Sequence, residues 1–490
     1  SGKLTNVGDS VRRAGDFRIN SETGNLNFFL AALSVKDRGN YRIPSGMKLV
    51  GNASLKNGTY HADFIMHEGR GSANLLATFN PTHETYEVNM MVDNLQMTHF
   101  MPKDSLYSLS GTLCAEGRGF DPYRASTWAK VNGTLGNVQY GTSSVSDVSL
   151  AGSLLNHHLK VDLTSNYPLA TLNMSLDGTF QKKSIDAILT ADVQNLDLYG
   201  LHMMDDSMAT SFQIFAEVKT DMKKNNLLDV TLGNWELTAA DAVYHPKTLT
   251  LHAWSTKDTT QVSFHAGDLG LTLTGNADLE TMMKKFEKIN EKLNKQLTRD
   301  SVINIPELKP LLPELHLEMS AGRDNPIYNA LDQYDVSFNH MQIEASTSPT
   351  EGLLFDGDIF GLRRDTIRVD TICLKINQDS LGLEYVTRIV KKPFRKQSSF
   401  AAELSGKIRN TFADAQLTYA DGKGETGVLL GVRMDKERDG LRFHLFPDKP
   451  IVAFHAFSLN SDNYILYRNK RDISANVRFV GEKNASLWIH

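Results

Sequence analysis

The stretch ATLNMSLDGTFQKKSIDAILTADV, residues 170–193, decides the fold class. Ala170, Leu172, Met174 and Leu176 alternate with Thr171, Asn173, Ser175 and Asp177, and Phe180 follows Gly178. Beyond the polar turn at Lys182 and Lys183, Ile185, Ala187, Leu189, Ala191 and Val193 repeat the alternation. A period of two sends successive side chains to opposite faces of a strand. The stretch therefore reads as two strands, each with one apolar and one polar face.

The same period extends in both directions along the chain. It returns at Phe212, Ile214, Ala216 and Val218, at Leu228, Val230 and Leu232, at Val262, Phe264 and Ala266, and at Leu269, Leu271 and Leu273. Further on it runs through Leu315, Leu317 and Met319, then Tyr334, Val336 and Phe338, then Met341, Ile343 and Ala345. Strands of this kind belong to antiparallel sheet wetted on one side. Convincing crossover helices are missing, which argues against a parallel α/β fold. A chain of 490 residues holds on the order of 30 such strands, more than one compact sandwich accommodates.

A weak repeat rides on the alternation: LVGNA at 49–53, LSGTL at 109–113, VNGTL at 131–135, LAGSL at 150–154, LDGTF at 176–180, FDGDI at 355–359 and LSGKI at 404–408. Each glycine falls on the apolar side of its strand, where a missing side chain permits a bend or a close approach. The expectation is mainly β: an elongated, antiparallel, curved sheet, taco-like or U-shaped and resembling a β-solenoid, with an apolar interior groove.

One segment breaks the pattern. NADLETMMKKFEKINEKLNKQLTRD, residues 276–300, has helical spacing, with Asn276 or Asp278 as N-cap. Leu279, Met282, Met283, Phe286, Ile289, Leu293 and Leu297 form a single stripe, opposite Lys284, Lys288, Glu291 and Lys295. The proline-rich NIPELKPLLPEL then ends helical structure before strands resume. The predicted organisation is a first run of sheet over 1–275, the helix and connector over 276–312, and a second run over 313–490. The helix is expected to lay its stripe on the apolar side of the sheet and cover part of the groove.

Chemistry-bearing motifs are sparse. GKGETG at 422–427 fits Gly-x-Gly-x-x-Gly, but VLLGVRM after it reads as a strand, so a hairpin turn is expected. The fifteen histidines include no His-Glu-x-x-His, and His157 and His158 in NHHLKVD point to opposite faces. No Gly-x-Ser-x-Gly elbow occurs. With 52 Lys+Arg against 57 Asp+Glu the net charge is −5, which gives no reason to expect nucleic acid as a partner. The basic run VKKPFRK at 390–396 reads as a solvated loop, and residues 17–41 are ambiguous between strand and helix. Cys114 and Cys373 either pair or are two small buried residues, the second being the expectation. The longest apolar run, FFLAAL at 28–33, falls far short of a bilayer span. The opening SGKLTNVGDS lacks the features of a signal peptide, and an internal fragment is expected.

Taken together, the serial LxGxL strands, the echo of VDNLQM (92–97) in VQNLDL (193–198), the lone helix entered through LTLTGNADLETMMKKF (271–286) and FSLNSDNYIL (457–466) resemble the TamB family within the AsmA-like group. That resemblance implies a periplasmic, non-enzymatic protein, its parent anchored in the inner membrane, whose apolar groove moves phospholipid towards the outer membrane. It also implies a BamA-like outer-membrane partner, reached through parts of the parent outside this chain. No cofactor and no metal are expected. The expected groove lining is Leu172, Met174, Leu176, Phe180, Ile185, Leu189, Val193, Phe212, Ile214, Val218, Leu228, Val230, Leu232, Val262, Phe264, Leu269, Leu271 and Leu273, a set suited to a phospholipid or other acyl-chain ligand. A structural or adhesive stack with a dry core and a carbohydrate-active β-helix with a carboxylate pair stay open as alternatives.

Overall fold

The computed structural model describes the chain except residues 6–12, 26, 28–39, 240–241, 300–302, 333, 366, 394–397, 438–439, 469–471, 482–485 and 490. The FFLAAL run and the FRK of VKKPFRK lie outside the described residues. Strands take up 67% of the chain and helices 9%, so the mainly β class holds, and the strand pairings are antiparallel. The chain divides into two units: residues 1–223 with 227–248, and residues 224–226 with 249–490.

In the first unit the strands are β1 (Gly2–Thr5), β2 (Ala14–Glu22), β3 (Lys48–Lys56), β4 (Thr59–Glu68) and β5 (Gly71–Asn80). Then come β6 (Thr85–Gln96), β7 (Leu106–Arg118), β8 (Trp128–Tyr140), β9 (Ser143–Leu155) and β10 (His158–Tyr167). β11 (Ala170–Gln181), β12 (Ser184–Asp197), β13 (Met208–Thr220), β14 (Asn226–Ala239) and β15 (Ala242–Tyr244) complete it. From β1 to β13 each strand pairs with the next as a meander, joined by tight turns except for longer connections after β1, β2, β6, β7 and β12. Asn57 and Gly58, both at positive φ, make the two-residue turn between β3 and β4.

The second unit begins with β16 (Leu249–Ser255), β17 (Thr260–Ala266) and β18 (Leu269–Gly275). A helical connector follows: α1 (Leu279–Arg299), α2 (Ile305–Leu308) and a 3-10 turn at Lys309–Leu311. Of the three prolines expected to end helical structure, Pro306 and Pro310 stand instead at the starts of these two short pieces, where a missing N–H costs nothing, and Pro313 follows them before the next strand. Next are β19 (Leu315–Ala321), α3 (Pro326–Asp332), β20 (Val336–Ser337), β21 (His340–Ser348), β22 (Gly352–Arg364), β23 (Ile367–Gln378) and β24 (Gly382–Lys391). β25 (Phe400–Arg409), β26 (Phe412–Asp421), β27 (Thr426–Lys436) and β28 (Gly440–Val452) continue the meander. β29 (His455–Leu459), β30 (Tyr464–Arg468), β31 (Asp472–Gly481) and β32 (Ser486–Ile489) end it. The expected strand at Tyr334, Val336 and Phe338 shrinks to two residues, because Phe338 leaves the ladder to become almost fully buried.

Cross-strand register explains why the alternation matters. Residues directly opposite one another share a face. One such row crosses the first unit through Met90, Leu113, Gly133, Leu150, Leu163, Met174, Ala191 and Ile214. Another crosses the second unit through Leu251, Phe264, Leu271, Met319, Ile343, Gly357, Leu374, Thr387, Leu404, Leu417 and Leu430. A one-residue slip anywhere would carry a whole strand's apolar set to the wet side, so each hairpin's register is strongly specified.

The last strands close on themselves. β28 pairs with β30 through its first half and with β29 through its second, and β31 pairs with both of those. Val477, Leu466 and Leu459 are buried inside. Asn463, from FSLNSDNYIL, is 3% exposed and replaces a missing rung. Its side chain accepts from Leu445 N (2.7 Å) and donates to Leu445 O (3.1 Å) and Asn460 O (2.9 Å).

Candidate functional site

The apolar face of the sheet is the feature that asks for a ligand. The chain exposes 30,015 Å². Two separate globular units of half its mass would expose about 22,000 Å² together. Among the described residues no second layer is spread over the strands. Leu135, Leu150, Leu404, Leu417 and Val432, all on this face, remain 36–41% exposed.

The expected lining residues sit on that face as the register dictates. Leu172, Met174, Leu176 and Phe180 lie opposite Val193, Ala191, Leu189 and Ile185, and these lie opposite Phe212, Ile214, Ala216 and Thr220. Val218 pairs with Ala187, while Leu228, Val230 and Leu232 share one face of β14. In the second unit Val262 and Phe264 pair with Leu273 and Leu271, and Ala266 with Leu269. Val193 and Leu269 are buried; the others are half-buried.

In the second unit, among the described residues, this face is covered at the two ends of its strands. At one end Leu269, Ala321 and Phe338 form a small core under Ile327, Tyr328 and Leu331 of α3. Asp268 fixes the turn beneath, accepting from Asn325 Nδ2 (2.7 Å) and Asp324 N (3.1 Å). Burial pushes its pKa up, but these hydrogen bonds prevail and hold it below the ordinary value. At the other end runs the connector. Met282 packs over Gly275, where an added Cβ would collide with its sulfur, and Ile305 and Leu308 of α2 are buried. Gln378 Nε2 at the end of β23 donates to Ile305 O (3.5 Å), and Thr347 Oγ1 at the end of β21 donates to Pro313 O (2.8 Å). The 21 residues of α1 span about 32 Å, enough to pass the ends of six or seven strands about 4.8 Å apart.

Asp278, not Asn276, caps α1. Its carboxylate accepts from Thr281 N (2.9 Å) and Thr281 Oγ1 (2.8 Å) and pairs with Lys224 Nζ (2.9 Å). The Lys224 hydrogen bond, backed by those from Thr281, holds its pKa well below the carboxylate range. The stripe on α1 divides into two. Met282 is buried and Ile289 and Leu293 are half-buried, but Leu279, Met283, Phe286 and Leu297 are 47%, 54%, 43% and 48% exposed. Gln296, buried beside them, hydrogen-bonds Asn304 N (3.0 Å) and binds the helix to its own return segment.

The glycines on the apolar face fall into two groups. At Gly51, Gly117, Gly357 and Gly406 the space is taken by the rings of Phe64, Tyr86, Phe355 and Tyr385. Gly133 and Gly152 have no ring over them, and an added Cβ would meet its nearest atoms at 3.3 Å and 3.8 Å. There the face holds an apolar depression of about 340 Å³, floored by Gly111 and Gly133 and walled by Met90, Leu109, Leu113, Leu135, Val148 and Leu150. This part of the face lies before the residues singled out from sequence. Its signal was the clustering of LSGTL, VNGTL and LAGSL on three consecutive strands.

The remaining motifs resolve simply. GKGETG is the turn between β26 and β27, with Gly424 at φ +82° and a strand after it. His157 stands in a turn and His158 pairs with Asp177 (3.2 Å). Among the described residues no group of three or more His, Cys, Asp or Glu is placed to hold a metal, and no helix is long and apolar enough to cross a membrane. Both cysteines are free. Cys114 is exposed, not buried as expected, because it falls on the polar side of β7; Cys373 is half-buried, and burial pushes its thiol up to about 11. No family model, no curated protein and no solved structure matches this chain.

Proposed function

We propose that the chain is a passive, non-enzymatic carrier of acyl-chain lipid, which travels on the apolar face of its sheet. The observation that carries this reading is the register. It keeps one face apolar from strand to strand, yet among the described residues that face has no second layer. A protein evolved for a dry core would cover such a surface; exposed apolar area of this extent marks a ligand or partner. In the second unit α3 with Phe338 and the connector would then act as walls at the two strand ends, with Leu271, Leu273, Leu317 and Ala345 as floor. A curved, groove-forming sheet is part of this proposal. Each methylene fully removed from water contributes about 0.8 kcal/mol, so a chain lying on an open face is held firmly yet able to slide.

The resemblance to TamB and AsmA-like proteins extends the proposal to a periplasmic role, phospholipid passing between inner and outer membranes with a BamA-like protein as an outer-membrane partner. The test is extraction of the purified chain with organic solvent, followed by mass spectrometry, beside a chain carrying Leu172→Asp and Leu271→Asp. Phospholipid on the parent chain and its loss from the folded variant are expected. A folded parent chain free of lipid after expression in a Gram-negative periplasm would overturn the reading.

A further inference from the structure

We infer that the glycines of β7, β8 and β9 form a diagonal furrow that seats one linear hydrocarbon chain in preference to a fused-ring apolar molecule. This rests on the reading of the apolar face as a lipid surface and adds where on it, and for what shape, binding is strongest. Gly111 is paired with Leu135; Gly133 lies one pair further along, between Leu113 and Leu150; Gly152 lies one further again, opposite Val131. Each step to the next strand thus also moves two residues along it. The three positions without side chains make a slanting line about 17 Å long, given strand spacings near 4.8 Å and about 3.4 Å per residue. Its width is that of one missing side chain, bounded on one side by Leu135 and Leu150, which stand 39% and 37% exposed, and on the other by half-buried Leu113 and Val131. A flexible unbranched chain fits such a slot, whereas a rigid ring system spans it and touches only the rims.

The contrast with the other glycines carries the argument. At Gly51 and Gly406 close backbone approach comes with an aromatic ring over the glycine, Phe64 and Tyr385, whereas at Gly111 backbone alone, Thr134 O, fills the Cβ position and no ring covers it. Gly133 and Gly152 have neither a ring nor a backbone that excludes a Cβ. Strands pay in stability for such glycines. The empty slot is what they provide.

The test uses the full chain, stripped of lipid, and two fluorescent probes: cis-parinaric acid, which is linear, and dehydroergosterol, which has fused rings. The double variant Gly133→Leu with Gly152→Leu fills the furrow; the open Cβ position at Gly152 and a contact of 3.3 Å with Thr112 O at Gly133, relieved by a shift of a few tenths of an ångström, predict that it folds. Ala151→Leu, exposed on the polar face of β9 opposite Asn132, is the control. The expected result is at least tenfold weaker parinarate binding in the double variant, none in the control, and weak sterol binding in all three. Unchanged parinarate binding by the folded double variant overturns the furrow and leaves the lipid reading standing. Equal loss in the control overturns its location, and sterol binding as tight as parinarate binding overturns the shape preference. A parent chain that takes up neither probe sinks the furrow together with the lipid reading.

Discussion

Replacing Asp278 by alanine isolates what holds the connector against the sheet. The carboxylate is 4% exposed and satisfies the first turn of α1 through Thr281. Losing an Asp cap to alanine costs about 1 kcal/mol. The Lys224 contact adds up to about 1 kcal/mol more, limited by screening because that lysine is nearly half exposed. A total of about 2 kcal/mol corresponds to roughly 30-fold more frequent opening of the helix. Backbone hydrogen exchange reads this directly, with faster exchange expected over 279–299 and little change in β21 to β27. Asp278→Asn keeps the acceptor and is expected to lose about half as much. Because the folded carboxyl pKa is depressed, its contribution is complete above the ordinary value near 3.9 and is lost as pH falls through and below it. Parent and Asn variant should therefore begin to approach one another below about pH 4 and converge fully only once the pH falls below the depressed folded pKa. Unchanged exchange in α1 of the alanine variant at pH 7 refutes the cap as the anchor.

Further outcomes follow from the same geometry. Asn463→Ala leaves Leu445 with a buried N–H and C=O unpaired and should cost about 2–4 kcal/mol, seen as a lowered urea midpoint with lost protection in β28 and β30. Gly406→Ala drives a Cβ into Asp414 O and the Tyr385 ring and should cost about 1–3 kcal/mol, whereas Gly152→Ala should gain about 0.5–1 kcal/mol; melting of both separates the two glycine groups. Met282→Ala empties the space over Gly275 and should destabilise by about 2–3 kcal/mol, while Met283→Ala, more than half exposed, should fall within about 0.5 kcal/mol of the parent in the same denaturant series.

Sequence alone made the strands legible because period two is local: Leu172, Met174 and Leu176 declare a face without knowledge of their partners. The long helix was legible for the same reason, down to Asp278 as one of two offered caps. What escaped depends on contacts distant in the chain. The division of the helical stripe into buried Met282 and exposed Met283 is set by Gly275 and by Glu307 and Asn304 on the return segment. Phe338 looked like a strand residue because its spacing fits, yet burial against Leu269 and Ala321 outweighs two ladder bonds. The bare glycines were visible as letters, but only register shows that Gly111, Gly133 and Gly152 fall on one slanting line while Phe64 covers Gly51.

The connector between β18 and β19 bears on how the second unit folds. These strands are adjacent and antiparallel, a relation that two residues can establish, yet 39 residues separate Gly275 from Leu315. Most other paired strands are near neighbours in sequence, the 25 residues between β2 and β3 and the 18 between β19 and β21 aside, a low contact order for an all-β chain and one that favours rapid hairpin growth. Closing the long loop costs about 2.5 kcal/mol more than closing a tight turn. Growth from either side should therefore pause at this point. β16–β18 and the strands from β19 onward would form as separate blocks, zipped together only once the long helix has nucleated and its return segment has docked.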